Sequence, residues 1–264
     1  MKRLTLSLLI CFSFLELANA QIGGISGSKL ASYCVDVVDH KHIEFEPGLY
    51  RSVANTFWDE AGNQHNTFKT PDSLNVSSEM YIRMTYGLWN KLEFGFNISD
   101  DLITSNWGMR YILLQKEKIG LAAIAGANLP IASKKINKNI DLSTIQYSWG
   151  AGIVSTVNLN QQLSFDFTYQ YLVPFKVTNW ENEKNQFINL DVGYYIHNYH
   201  FQLIGGIGYC RMQNDKRTSN LLTLCHGATI ETERYIIVIC LPVDIYGKNI
   251  DKSRGLLLAL TLTF

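Results

Sequence analysis

An all-β fold, a transmembrane antiparallel β-barrel of about twelve strands, is predicted by three observations. Segments along most of the chain alternate apolar and polar residues, tight connectors alternate with longer ones, and the last segment ends on an aromatic in phase with its apolar face. Each pattern alone would also suit a soluble sandwich. Their combination points to a sheet whose greasy parity meets lipid and whose polar parity lines a lumen.

The chain opens on Lys2 and Arg3, an apolar run from Leu4 to Leu15, and the small-x-small site Ala18-Asn19-Ala20. This is the form of a secretory signal cleaved after Ala20, and the apolar run is shorter than the roughly 20 residues a helical span needs. Cys11 lies inside that run without the small-residue context of a lipoprotein site. Removing Lys2, Arg3 and Glu16 leaves 21 basic against 22 acidic residues, so nothing steers nucleic acid. An exported β protein of this length, with no Pro/Gly/Ser-rich linker, reads as one domain over residues 43–264 in a bacterial, Gram-negative outer membrane. Residues 21–42 fit no strand, and both a periplasmic N-terminal tail and a small plug entering the barrel are open, the tail slightly favoured.

Strands are expected at 43–57, 74–87, 91–100, 104–115, 118–131, 143–158, 162–177, 185–197, 200–213, 219–231, 234–245 and 254–264. The cleanest is Leu163 to Tyr171, apolar at every odd position and polar at every even one. Leu74 to Tyr86, Leu92 to Ile98 and Phe187 to Ile196 repeat the pattern. Tyr86, Trp107, Tyr111, Trp149, Tyr169, Tyr171, Tyr194, Tyr209 and Tyr235 share the apolar parity, often near segment ends, as an interfacial girdle requires. The last segment carries Leu256, Leu258, Leu260, Leu262 and Phe264 on one parity. A terminal Phe264 in that phase resembles the signal read by the barrel-assembly machinery, the expected partner besides outer-membrane lipids.

Connectors after even-numbered segments are tight (88–90, 116–117, 159–161, 198–199 and 232–233), whereas most others are longer (58–73, 132–142, 178–184, 213–218 and 246–253). Short periplasmic turns opposite long external loops place both termini in the periplasm, which makes the strand count even.

With parity fixed, Glu44, Glu46, Glu79, Arg83, Glu93, Arg110, Asp166, Asp191, Arg211, Glu231 and Arg234 face the lumen. The set is of mixed sign, so it does not form a one-sign selectivity ring. A salt-bridge and hydrogen-bond network filling a narrow bore is the plain reading; a solute path lined by Glu79, Arg83, Glu93, Arg110, Asp166 and Asp191 is the functional one.

Arg83-Met84-Thr85-Tyr86-Gly87-Leu88-Trp89-Asn90-Lys91-Leu92-Glu93-Phe94 resembles the R-Y-G-L-[ST]-[DN]-[RK]-L-E-L hairpin of the outer-membrane family described as meta-pathway phenol-degradation transporters. Gly126-Ala127-Asn128-Leu129-Pro130 is similar to that family's G-x-x-L-P, and Glu44-Phe45-Glu46 to its first strand; Thr85 and Trp89 depart from the pattern. The resemblance implies a passive channel or transporter for small solutes, hydrophobic or aromatic ones included. Gly87 is expected to relieve the hairpin turn and Glu93 to lie near Arg83.

A structural or surface-interaction barrel with no open pore is the alternative, and an outer-membrane lipid hydrolase a more distant one. His197, His200 and His226 show no triad spacing, and no H-E-x-x-H, G-x-S-x-G or P-loop occurs, so neither an enzyme nor a cofactor is expected. Cys210, Cys225 and Cys240 recur every fifteen residues on the lumenal parity. With hairpins centred near Arg217 and between Thr232 and Glu233 they would stand side by side, as disulfide candidates in an oxidising compartment, as three small packing residues or, more rarely, as a metal site. Cys34 has no evident partner.

Overall fold

Alternating segments bury one face only if their backbone hydrogen bonds close on neighbours, and in a bilayer no strand edge can be left open. A computed structural model of the chain describes residues 21–27, 29–68, 70, 73–100, 102, 104–131, 147–176, 184–196, 200–214 and 216–264. The signal-peptide expectation for 1–20, the loops at 132–142 and 178–183, and His197 lie outside these residues.

Among the described residues the strands are β1 (Ile43–Trp58), β2 (Gln64–Asn66), β3 (Asn75–Trp89), β4 (Leu92–Ser99), β5 (Thr104–Gln115), β6 (Ile119–Pro130), β7 (Tyr147–Asn158), β8 (Leu163–Lys176), β9 (Lys184–Ile196), β10 (Phe201–Gln213), β11 (Thr218–Glu231), β12 (Tyr235–Lys248) and β13 (Ile250–Thr263). All but β2 pair antiparallel with their chain neighbours, and β13 pairs back onto β1 from Glu44↔Thr263 to Trp58↔Ile250. The result is a closed twelve-stranded barrel. No helix of the described residues is long and apolar enough to cross a membrane; the chain crosses with strands.

Two connectors differ from expectation. Within the loop read at 58–73, β2 folds back onto the end of β1 through Thr56↔Asn66, Phe57↔His65 and Trp58↔Gln64. Gly62, at φ +86°, turns this hairpin, and the Asp59 carboxylate accepts hydrogen bonds from the backbone N–H (2.8 Å) and Nδ2 (3.3 Å) of Asn63 and lies 2.8 Å from His65 Nε2. Those contacts, His65 foremost, hold the Asp59 carboxyl at about 2, below its ordinary value of 3.8. The loop expected at 246–253 shrinks to a turn at Asn249, whose φ of +52° an asparagine tolerates and whose Nδ2 donates to the Thr218 carbonyl at 2.9 Å.

Parity sorts the two faces. Met80, Ile82, Met84 and Tyr86 are exposed on the outside of β3, while Arg83 and Thr85 are buried inside. Tyr111, Trp149, Tyr194 and Tyr235 are likewise outward and exposed. Arg211 is a correction: Cys210 is buried on the inner face, so the adjacent Arg211 shares the outer parity with Tyr209. Arg234 is a second, lying exposed in the turn between β11 and β12.

Candidate functional site

The amino-terminal segment runs inside the barrel rather than trailing from it. The wall grips its backbone at successive points: Gln170 Oε1 accepts from Ile22 N–H (2.9 Å), Thr168 Oγ1 from Tyr33 N–H (2.8 Å) and Thr156 Oγ1 from Val35 N–H (2.9 Å). Thr85 Oγ1 donates to the Gly24 carbonyl (2.8 Å), Arg83 Nη1 to that of Ile25 (2.7 Å) and Asn189 Nδ2 to that of Ala31 (2.8 Å). The segment also bonds to itself, Cys34 N–H to Gly27 O at 3.0 Å and Tyr33 OH to Ile22 O at 2.6 Å.

The lumenal charges named from sequence are the anchors of that segment. Glu93 faces Arg110 across β4 and β5, 2.9 Å apart with neither side chain accessible to solvent. Its carboxylate also accepts from Ser26 N–H (2.8 Å), Ser26 Oγ (2.5 Å) and Val38 N–H (2.8 Å), while Arg110 Nη1 donates to the Cys34 carbonyl at 2.6 Å. Arg83, expected beside Glu93, pairs instead with Glu46 (2.6 Å) and Glu44 (3.4 Å), because Glu46 is its direct neighbour on β1.

Asp166 and Asp191 stand directly opposite one another on β8 and β9. Opposed like charges destabilise a sheet. Here the amino-terminal segment answers both. Lys29 Nζ lies 2.7 Å from Asp166, which also accepts from Thr156 Oγ1 at 2.6 Å. One Asp191 oxygen accepts from the successive N–H groups of Leu30, Ala31 and Ser32 at 3.2, 3.0 and 2.7 Å and from Ser32 Oγ at 2.6 Å. A run of backbone N–H groups converging on one oxygen is an anion-binding nest.

Part of the inner wall is apolar, against the expectation of a polar lining throughout. Ile22, Ile25 and Val35 bury in one cluster with Ile112, Ala122, Ile124, Val154 and Leu172, each Ile, Leu or Val contributing about 1.5–3 kcal/mol when fully buried. The signal for this was present: Ile119-Gly120-Leu121-Ala122-Ala123-Ile124-Ala125 has no polar parity, as a strand covered on both faces requires. Gly87 serves the same docking. Its φ is not positive, and a side chain there would run into the Asp39 and Val38 carbonyls, so it makes room for the segment rather than for the turn.

The segment leaves a space on each side. Toward the loop end, a cavity of about 350 Å³ is lined by Tyr50, Glu79, Tyr81, Asn97, Cys225 and Asp244. Toward the turn end, a chamber of about 1260 Å³ is lined by Lys29, Asp36, Gln162, Asp166, Tyr195 and Glu231.

No protein-family model matches the sequence, and no curated protein matches it. Solved structures do match in shape. An outer-membrane channel from Pseudomonas putida F1 superposes with a TM-score of 0.67 at 14% identity, covering 87% of this chain and 98% of that one. The fold is that of an outer-membrane barrel. The NanC porin follows with a TM-score of 0.51 at 13% identity, covering 83% of this chain and 98% of that one. The KdgM porin in complex with disordered oligogalacturonate gives 0.51 at 7% identity, covering 84% of this chain and 99% of that one. At these identities the likeness is one of architecture, which together with the apolar outer band suits the bacterial outer membrane.

The cysteines do not form the level row expected. Cys210 faces Leu221, Cys225 faces Gly206 and Pro242, and Cys240 faces Gly227. The turns set this register. Asn214 Oδ1 accepts from the N–H groups of Lys216 and Arg217, closing the β10–β11 hairpin two residues before the assumed centre, and Thr232 Oγ1 accepts from Arg234 and Tyr235 N–H in the next turn. None of the described cysteines forms a disulfide.

Proposed function

We propose that the protein is a passive outer-membrane channel for small solutes, hydrophobic or aromatic ones included, whose bore is narrowed by its own residues 21–38. The observation that carries this reading is the pair of lumenal spaces on either side of the segment, one bordered by Gly23, Gly24, Ile25 and Tyr33 and the other by Gly27, Lys29 and Cys34. A solute crossing the barrel meets this segment and the Glu93–Arg110 and Asp166–Lys29 pairs that hold it. The Arg83 to Phe94 hairpin, with its likeness to the meta-pathway transporters, supports the aromatic part of the reading. Arg83, Glu93, Arg110, Asp166 and Asp191 then act chiefly by seating the segment, and Glu79 by lining the cavity above it.

The density of wall contacts to residues 22–38 favours, as a second reading, a sealed barrel with a structural or surface role. Planar-bilayer recordings of the purified protein and of a variant lacking residues 22–37 separate the two. Discrete conductance steps from the intact protein, larger in the deletion, support the channel. Conductance from the deletion alone supports the sealed barrel, and solute-selective swelling of liposomes with monoaromatic acids tests the cargo class.

A further inference from the structure

Cys225 and Cys240 lie two residues out of register on β11 and β12, since Cys225 opposes Pro242 and Cys240 opposes Gly227. Both are buried on the inner face and line the same cavity. Diagonal neighbours on adjacent strands stand about 7–8 Å apart, beyond the roughly 4.4–6.8 Å that a disulfide spans at Cα. Two thiolates sharing one ion need their sulfurs only about 4.6 Å apart, twice a metal–sulfur bond of ~2.3 Å.

We infer that Cys225 and Cys240 form a two-coordinate site for a soft, thiophilic ion of the copper(I) or silver(I) class, open to the cavity on the loop side of the amino-terminal segment. Among the described residues no cluster of three or more His, Cys, Asp or Glu side chains could hold a metal, so ions that demand four ligands are not served. Paired thiolates select soft monovalent ions. The cavity they line carries Glu46, Glu79 and Asp244, with Arg83 as the opposing charge, and this acidic excess draws cations in. Cys210 lines the same cavity but faces Leu221 and Phe187, off the pair. Binding exchanges two thiol protons, released to water, for one ion held between two sulfurs.

The test uses the full-length protein purified from outer membranes in detergent, reduced, and titrated with silver nitrate. Native mass spectrometry is expected to show one silver ion per barrel, retained in Cys34→Ser and Cys210→Ser and weakened about tenfold or more in Cys225→Ser and Cys240→Ser. Folding of each variant is read from its heat-modifiable gel mobility. In the wild-type protein, bound silver is expected to protect Cys225 and Cys240, but not Cys34, from iodoacetamide, so the answer does not depend on any variant folding. Silver uptake that follows Cys34, alkylation of Cys225 and Cys240 unaffected by silver, or a barrel two hydrogens lighter in which these two are already joined would overturn the assignment.

Discussion

The Glu93 carboxylate and the Arg110 guanidinium lie 2.9 Å apart with no solvent access to either, and the same carboxylate holds the amides of Ser26 and Val38. Two distant points of the amino-terminal segment are thereby tied to one wall ion pair. Replacing Arg110 with leucine leaves the buried Glu93 charge without its cation, at a cost of about 3–5 kcal/mol. We expect Arg110→Leu to unfold at lower temperature on heat-modifiable gels and to conduct more than the parent in bilayers; Glu93→Gln with Arg110→Leu, which removes both charges, should recover part of the stability.

Asp191 offers a more local readout. Asp191→Asn replaces a charged acceptor by a neutral one at a nest of three amides, where hydrogen bonds to charge contribute about 1.5–3 kcal/mol. Hydrogen exchange at Leu30, Ala31 and Ser32 should accelerate about tenfold or more while β9 keeps its protection. Unchanged exchange at these three amides would mean that the aspartate does not hold them.

Steric room is separable from charge. A methyl group at Gly108 would meet the Gly23 carbonyl and the side chains of Ile22 and Ile25, all belonging to the amino-terminal segment. Gly108→Ala is therefore expected to displace the segment and raise bilayer conductance without breaking the β4–β5–β6 pairing. Gly205→Ala, where the added methyl meets only Val192 at an ordinary 3.7 Å, is the matched control and should behave as wild type.

Acid should open the β2 hairpin before it touches the barrel. A carboxyl whose folded value is depressed contributes stability that is complete above its unfolded value and disappears as pH falls through its folded value. For Asp59 those limits are 3.8 and about 2. Pepsin cleavage between Asp59 and Thr67 should rise across that window, and Asp59→Asn should be cut readily throughout it. Equal cleavage at both limits would count against Asp59 as the hairpin's latch.

Strand positions were legible because alternation and turn residues act locally. β5 at Thr104–Gln115 falls where the pattern put it, and most others differ by a residue or two. What escaped was set by partners far along the chain. The cysteine register depends on where Asn214 and Thr232 close their turns, and a shift of two residues moves every facing pair. The pairing of Arg83 with Glu46 rather than Glu93 depends on β1 lying beside β3. The placement of residues 21–38 had only an indirect trace, the doubly apolar β6 and the surplus of inward carboxylates, of which Glu93 and Asp191 take amides of the segment as partners that leave no mark in side-chain patterning.

The segment in the lumen is held chiefly by its main chain: Glu93, Asp191, Thr156, Thr168 and Gln170 grasp amides that any residue except proline provides. Selection on such an arrangement acts unequally on its two sides. The wall acceptors are under constraint, whereas positions of the segment whose side chains the wall does not grip are free to drift between descendants. Homologous barrels can thus keep the same internal strand path while their leading residues diverge beyond recognition.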